Sequence, residues 1–106
     1  MPIVNKAVRG SSSGRPIMVL LDVLGQRWTL RIVWELRDGP LTFRALRDRC
    51  DAVSPTLLNV RLKALRELGL VDLGDAGFGL TPRARELTPL LVRLDGLANS
   101  WAITPS

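Results

Sequence analysis

Histidine and tyrosine are absent from this chain, and cysteine occurs once, at Cys50. Those gaps remove the commonest general base, the phenolic acid–base group and any internal disulfide. There is also no paired-carboxylate site, no glycine-rich phosphate loop after a strand and no cluster with metal-ligand spacing. Neither an enzyme nor a metal-dependent sensor is expected, and no cofactor is implied. No apolar run approaches the roughly 20 residues that span a bilayer, and the N-terminus lacks a signal-peptide core. A cytoplasmic protein without a membrane partner is predicted. At 106 residues the chain suits one compact domain rather than two.

What the chain has in quantity is arginine. The 15 cations comprise thirteen arginines with Lys6 and Lys63, the net charge is +5, and the pI is near 11.0. Arginine's planar donor fork matches phosphate oxygens and guanine edges, so the balance suits a polyanionic partner. Leucine dominates the apolar fraction and β-branched residues are scattered, which predicts a mainly α fold with short strands.

Residues 1–14 carry Lys6 and Arg9, no acid and a GSSSG run. They read as a flexible basic arm that follows a phosphate backbone, enters a minor groove or stays idle. Residues 15–106 read as the domain. Pro16 opens a first helix in which Ile17, Leu20, Leu21 and Leu24 share a face, and Gly25 closes it. A second helix, Trp28 to Arg37, is apolar on two adjoining stripes and so should be central, with Trp28 and Trp34 as core or interface fillers. Asp38-Gly39-Pro40 breaks it. Thr42 then caps a third helix, with Leu41 and Leu46 spaced as a staple, Phe43 and Leu46 inward, and Arg44, Arg47 and Arg49 outward.

Ser54-Pro55 starts a fourth helix, about 54–68, whose Leu58, Leu62 and Leu65 recur at helical spacing and which Gly69 stops. Leu70 to Leu73, a four-residue Gly74-Asp75-Ala76-Gly77 turn and Phe78-Gly79-Leu80 make a short β-hairpin. Thr81-Pro82 repeats the cap-plus-proline signal, Pro89 interrupts the last helix, and Thr88 is placed to cap its restart. Beyond it Leu90, Leu91, Leu94, Leu97, Ala98 and Trp101 form an apolar stripe large for a small monomer, which points to a symmetric dimer.

Opposite the leucines of the fourth helix, Thr56, Asn59, Val60 and Lys63 fall within one sector at about 100° per residue. Short polar groups with one lysine suit a DNA groove. Asparagine can pair bidentately with adenine, while Val60 either meets a thymine methyl or has no role. Arg44 and Arg47 are either phosphate contacts or solvated charges. Arg61, angularly beside the core stripe, either reaches a phosphate or makes an internal salt bridge. Cys50, among arginines, is either a redox thiol of lowered pKa or an inert small residue at a helix end.

Four helices, a hairpin and a terminal helix, with only a brief turn between the third and fourth, are the order of a winged helix-turn-helix. The chain further resembles the HxlR-type branch of the MarR-related bacterial transcription regulators. The resemblance is carried by Leu24-Gly25-Gln26-Arg27-Trp28-Thr29-Leu30, Glu35-Leu36-Arg37-Asp38-Gly39-Pro40-Leu41-Thr42-Phe43, Ser54-Pro55, Arg61-Leu62-Lys63-Ala64-Leu65, Gly69-Leu70-Val71 and Leu80-Thr81-Pro82. It implies a homodimer on pseudo-palindromic operator DNA, joined through the first and last helices. Ile17, Leu20, Leu90, Leu94, Leu97 and Trp101 would then lie at the interface. Ser54, Pro55, Thr56, Asn59 and Lys63 match the groove-facing part of the family's recognition helix, and Arg61 matches a characteristic arginine. Two departures stand out. Arg15 occupies the position of the sensing cysteine that many members carry before the first helix, and the wing is clipped and flanked by Asp72 and Asp75. No residues converge on an effector pocket. The rival expectation, resting on that acidic wing, is a winged-helix module for protein contacts alone.

Overall fold

The computed structural model describes residues 15–103, so the arm expected over residues 1–14 lies outside the described residues. The elements run α1 (Pro16–Leu24), α2 (Thr29–Glu35), α3 (Phe43–Arg49), α4 (Pro55–Glu67), β1 (Val71–Gly74), β2 (Gly77–Leu80), α5 (Pro82–Arg85) and α6 (Thr88–Ile103). Among the described residues no helix is long and apolar enough to cross a membrane.

The domain packs around α2. Thr29, Ile32, Val33 and the C-capping Leu36 are each at most 1 % exposed, as a helix apolar on two stripes requires. Trp28 departs from expectation: it is the N-cap at φ 78, outside the helix. Two turns cause this, because the Gln26 amide donates to the Val23 carbonyl and the Thr29 amide to the Gln26 carbonyl, reversing the chain before α2 begins. Leu46, Leu58, Leu62 and Leu65 complete the centre at 0–2 % exposure, each contributing roughly 1.5–3 kcal/mol on burial.

Three helix starts follow local side-chain chemistry. Thr42 Oγ1 accepts from the Ala45 amide at 3.1 Å, Ser54 Oγ from Leu57 at 3.3 Å and Thr81 Oγ1 from Ala84 at 3.3 Å. Each such cap stabilises by about 1 kcal/mol. Thr88 does not act this way. The Leu87 carbonyl accepts from the Leu91 amide at 3.0 Å, so Leu87 is the cap and Thr88 already has helical backbone. A side chain caps from the extended residue before the helix, and Thr88 Oγ1 is buried without a partner among the described residues.

The hairpin is tighter than predicted. Gly74 and Gly77 are a paired rung of the antiparallel ladder, leaving a two-residue turn, Asp75-Ala76. Leu41, expected only as a staple, adds a third extended segment by exchanging hydrogen bonds with Phe78 at 2.9 and 2.8 Å.

On α1 the residue that enters the core is Val19, at 1 % exposure, whereas Ile17 and Leu21 are 50 % and 51 % exposed. This helix is apolar on nearly every side, so periodicity does not select its inner face. On α6, Leu91 packs against the core, while Leu90, Leu94, Leu97 and Trp101 stand 47–69 % exposed. The two terminal helices therefore carry an uncovered apolar surface.

Candidate nucleic-acid interface

Helix α4 is fixed by its leucine side and by both ends. Ser54 caps the start, with Pro55 at the first helical position. At the other end Arg83 Nη1 donates to the Leu68 carbonyl at 2.9 Å and Thr81 Oγ1 to the Gly69 carbonyl at 2.6 Å. A cation on free terminal carbonyls also favours the helix dipole. Gly69 at φ 73 makes the left-handed exit. The helix thus turns one face inward and leaves Ser54, Pro55, Thr56, Asn59, Val60 and Lys63 exposed on the other.

The turn from α3 into α4 is strained. Asp51 and Ala52 both adopt φ 57, the left-handed region, which costs an L-residue roughly 1–2 kcal/mol. Arg47 Nε donates to the Val53 carbonyl at 2.7 Å, and its Nη2 to the Ala52 carbonyl at 3.4 Å. Arg31, from α2, spreads its donors over Glu35 at 2.8 Å, the Asp51 carboxylate at 3.3 Å and the Arg49 carbonyl at 2.5 Å. The Glu35 hydrogen bond raises the Arg31 pKa further, against the lowering effect of burial.

These bonds sort the cations of α3 and α4. Arg47 is occupied by the turn, and Arg49 stands 3.9 Å from Glu35. Arg61 Nε donates to the Arg27 carbonyl at 2.7 Å, tying α4 to the loop before α2. The internal partner of Arg61 is thus a backbone carbonyl rather than the carboxylate of an internal salt bridge. Arg44, Lys63 and Arg66 are exposed, and their side chains have no hydrogen bond or ion pair among the described residues. The polar sector read from the sequence does not include Arg66. Its signal was its place one turn beyond Lys63, on the border of the polar sector. It lines, with Asn59, Lys63, Leu62, Glu67 and Phe78, an open groove of about 640 Å³ between α4 and the hairpin.

The hairpin itself offers phosphates little. Asp72 and Asp75 are exposed, residues 71–80 contain no cation, and Leu73 is 53 % exposed near the tip. Of the two readings of Cys50, the geometry favours the inert small residue at a helix end. Cys50 is 0 % exposed, and burial pushes its thiol pKa up; Arg31 opposes this, while Glu35 and Asp51 add to it. The neighbouring arginines therefore do not produce an exposed, low-pKa thiolate.

Comparison with known proteins agrees with this geometry. The HxlR-like helix-turn-helix family model matches residues 23–105. The HTH-type transcriptional regulator sll1512 of Synechocystis is 27 % identical over 93 residues, covering 81 % of this chain and 69 % of that protein. YvaP of Bacillus subtilis, also an HTH-type transcriptional regulator, is 29 % identical over 93 residues, covering 81 % and 85 %. The crystal structure of quinone-bound YodB from B. subtilis superposes with a TM-score of 0.72 at 25 % identity, covering 79 % of this chain and 96 % of that one. A MarR-family transcriptional regulator from Enterococcus faecalis has the same fold, with a TM-score of 0.69 at 21 % identity and coverages of 92 % and 94 %. This chain belongs to the HxlR-like helix-turn-helix family of DNA-binding transcriptional regulators.

Proposed function

We propose that two copies of this chain bind a pseudo-palindromic duplex operator, each placing α4 in a major groove. Ser54, Pro55, Thr56, Asn59, Val60 and Lys63 face the bases, with Asn59 paired to an adenine. Arg44 and Arg66 hold phosphates, and Lys63 meets whichever anionic edge the register presents. The observation that carries this reading is the exposure of all six groove residues on a helix whose opposite face is buried. Ile17, Leu20, Leu90, Leu94, Leu97 and Trp101 form the interface between copies, which buries the apolar surface of α1 and α6. The acidic hairpin stays off the phosphates, since like charge repels there.

Fluorescence polarisation with random duplex DNA across a salt series tests the proposal. Each phosphate neutralised contributes a slope of about −0.9 in log affinity against log salt, so the three free cations of α3 and α4 give about −3 per copy. An absence of binding at low salt sinks the regulator reading. On a selected operator, Asn59→Ala flattens preference at one base pair, a contact worth about 1–3 kcal/mol of discrimination; unchanged preference removes Asn59 from direct readout.

A further inference from the structure

We propose that Arg31 and Arg47 are positioning residues for DNA recognition: from two different helices they hold the strained turn before α4 and so set the angle at which α4 enters the duplex. The inference rests on the DNA-binding reading above.

Two consecutive left-handed residues without glycine persist only where the surroundings over-determine them. Here the surroundings are two guanidinium groups. Between them they donate to the carbonyls of Arg49, Ala52 and Val53, the last of these immediately before the Ser54 cap. Arg31 is itself oriented by Glu35, which is only 14 % exposed in its side chain and also stands near Arg49. Backbone bonds alone leave the turn lightly held, with the Ala52 amide on the Arg47 carbonyl at 3.0 Å and the Val53 amide on the Cys50 carbonyl at 3.1 Å. The guanidinium bonds bring α2, α3 and the start of α4 into one assembly.

Leverage turns this local clamp into specificity. Ser54 and Lys63 are nine residues apart, about 14 Å along a helix, so a tilt of about 10° at the turn moves Lys63 by about 2 Å. Base-edge hydrogen bonds tolerate far less than that, because they weaken steeply with distance and angle. Contacts between free cations and phosphates are less directional and survive it. Loss of either arginine should therefore remove discrimination and spare non-specific affinity.

The test compares the parent with Arg31→Met and Arg47→Met, using a duplex selected from a random pool by the parent and a scrambled duplex of equal length and composition. Each variant is expected to lower the selected-to-scrambled affinity ratio about tenfold and to leave the salt slope on the scrambled duplex unchanged. Adding Ala52→Gly to Arg47→Met relieves the left-handed strain and is expected to restore most of the ratio. A slope reduced by about one with the ratio intact makes the arginine a phosphate contact and overturns the proposal. A lower melting temperature with the ratio intact overturns it as well. Hydrogen exchange in the free protein decides independently of DNA. The Ala52 and Val53 amides are expected to exchange at least tenfold faster in both variants, and unchanged protection refutes the clamp. If the parent binds neither duplex at low salt, the regulator reading fails while the exchange result still judges the clamp.

Discussion

Two glycines that face each other across the hairpin should respond oppositely to the same substitution. Gly77 has φ 117, and a Cβ there would lie 2.3 Å from the Leu41 carbonyl oxygen, 2.5 Å from its carbon and 2.8 Å from the Thr42 nitrogen. All three are backbone atoms, so no rotamer change relieves the overlap. Gly77→Ala must separate β2 from Leu41, losing both Leu41–Phe78 hydrogen bonds, at about 1 kcal/mol each. The disfavoured φ adds about 1–3 kcal/mol, for a total of about 3–5 kcal/mol. Gly74, its ladder partner, has no positive φ and nothing within 4 Å of a built Cβ. Gly74→Ala should be neutral or stabilise by about 0.4–1 kcal/mol through the unfolded chain. Urea unfolding of the parent and both variants measures the contrast, with the difference read at the midpoint provided the slopes agree. Equal midpoints for the two alanine variants would refute the docking of the hairpin on Leu41.

Three further outcomes follow from the same geometry. Ala52→Gly is expected to stabilise the fold by about 0.5–1 kcal/mol, the left-handed cost less the extra freedom of an unfolded glycine. Asp51→Gly should gain less, because aspartate tolerates that conformation better and the change forfeits the Arg31 pair; a loss of stability in Ala52→Gly, read by thermal unfolding, would contradict the strain. Burial raises the Cys50 pKa, so the folded chain keeps its thiol proton after the unfolded chain has lost it. That stability is fully present below the unfolded pKa of about 8.5 and declines as pH rises beyond it, by up to about 1.4 kcal/mol per pH unit, until the folded pKa is passed. With no histidine or tyrosine in the chain, Cys50→Ala should flatten the limb that begins above about pH 8.5 in denaturation series, and a limb of unchanged slope would mean another group is responsible. For the proposed dimer, sedimentation at micromolar concentration should give two copies for the parent and one for Leu94→Glu or Trp101→Glu, since each places a carboxylate in a buried apolar contact; a monomeric parent would remove the interface.

What could be read without coordinates was whatever is local. Thr42, Ser54 and Thr81 each precede a helix start by one residue, and a hydroxyl at that position has few acceptor tasks besides the first-turn amides. The leucine spacing of α4 likewise leaves one inner face. Legibility fails where a side chain chooses among distant partners. Leu41 meets Phe78 across 37 residues, with no local signature. Helix α1 is apolar almost all round, so only packing singles out Val19. The arginines are the most instructive case. Angular position puts Arg44 and Arg47 on the same outer side of α3, yet one head is free while the other lies within reach of the Val53 carbonyl. Arg61, beside the core stripe, similarly ends on the Arg27 carbonyl. A guanidinium bonded to backbone keeps its charge but commits its donors and its position. Net charge therefore overstates how many heads on α3 and α4 are without a protein partner: of their six cations, Arg44, Lys63 and Arg66 keep uncommitted heads, while the other three bind or face the protein itself. The excess of arginine that first pointed to DNA also serves, at Arg31 and Arg47, to hold the turn from which α4 starts.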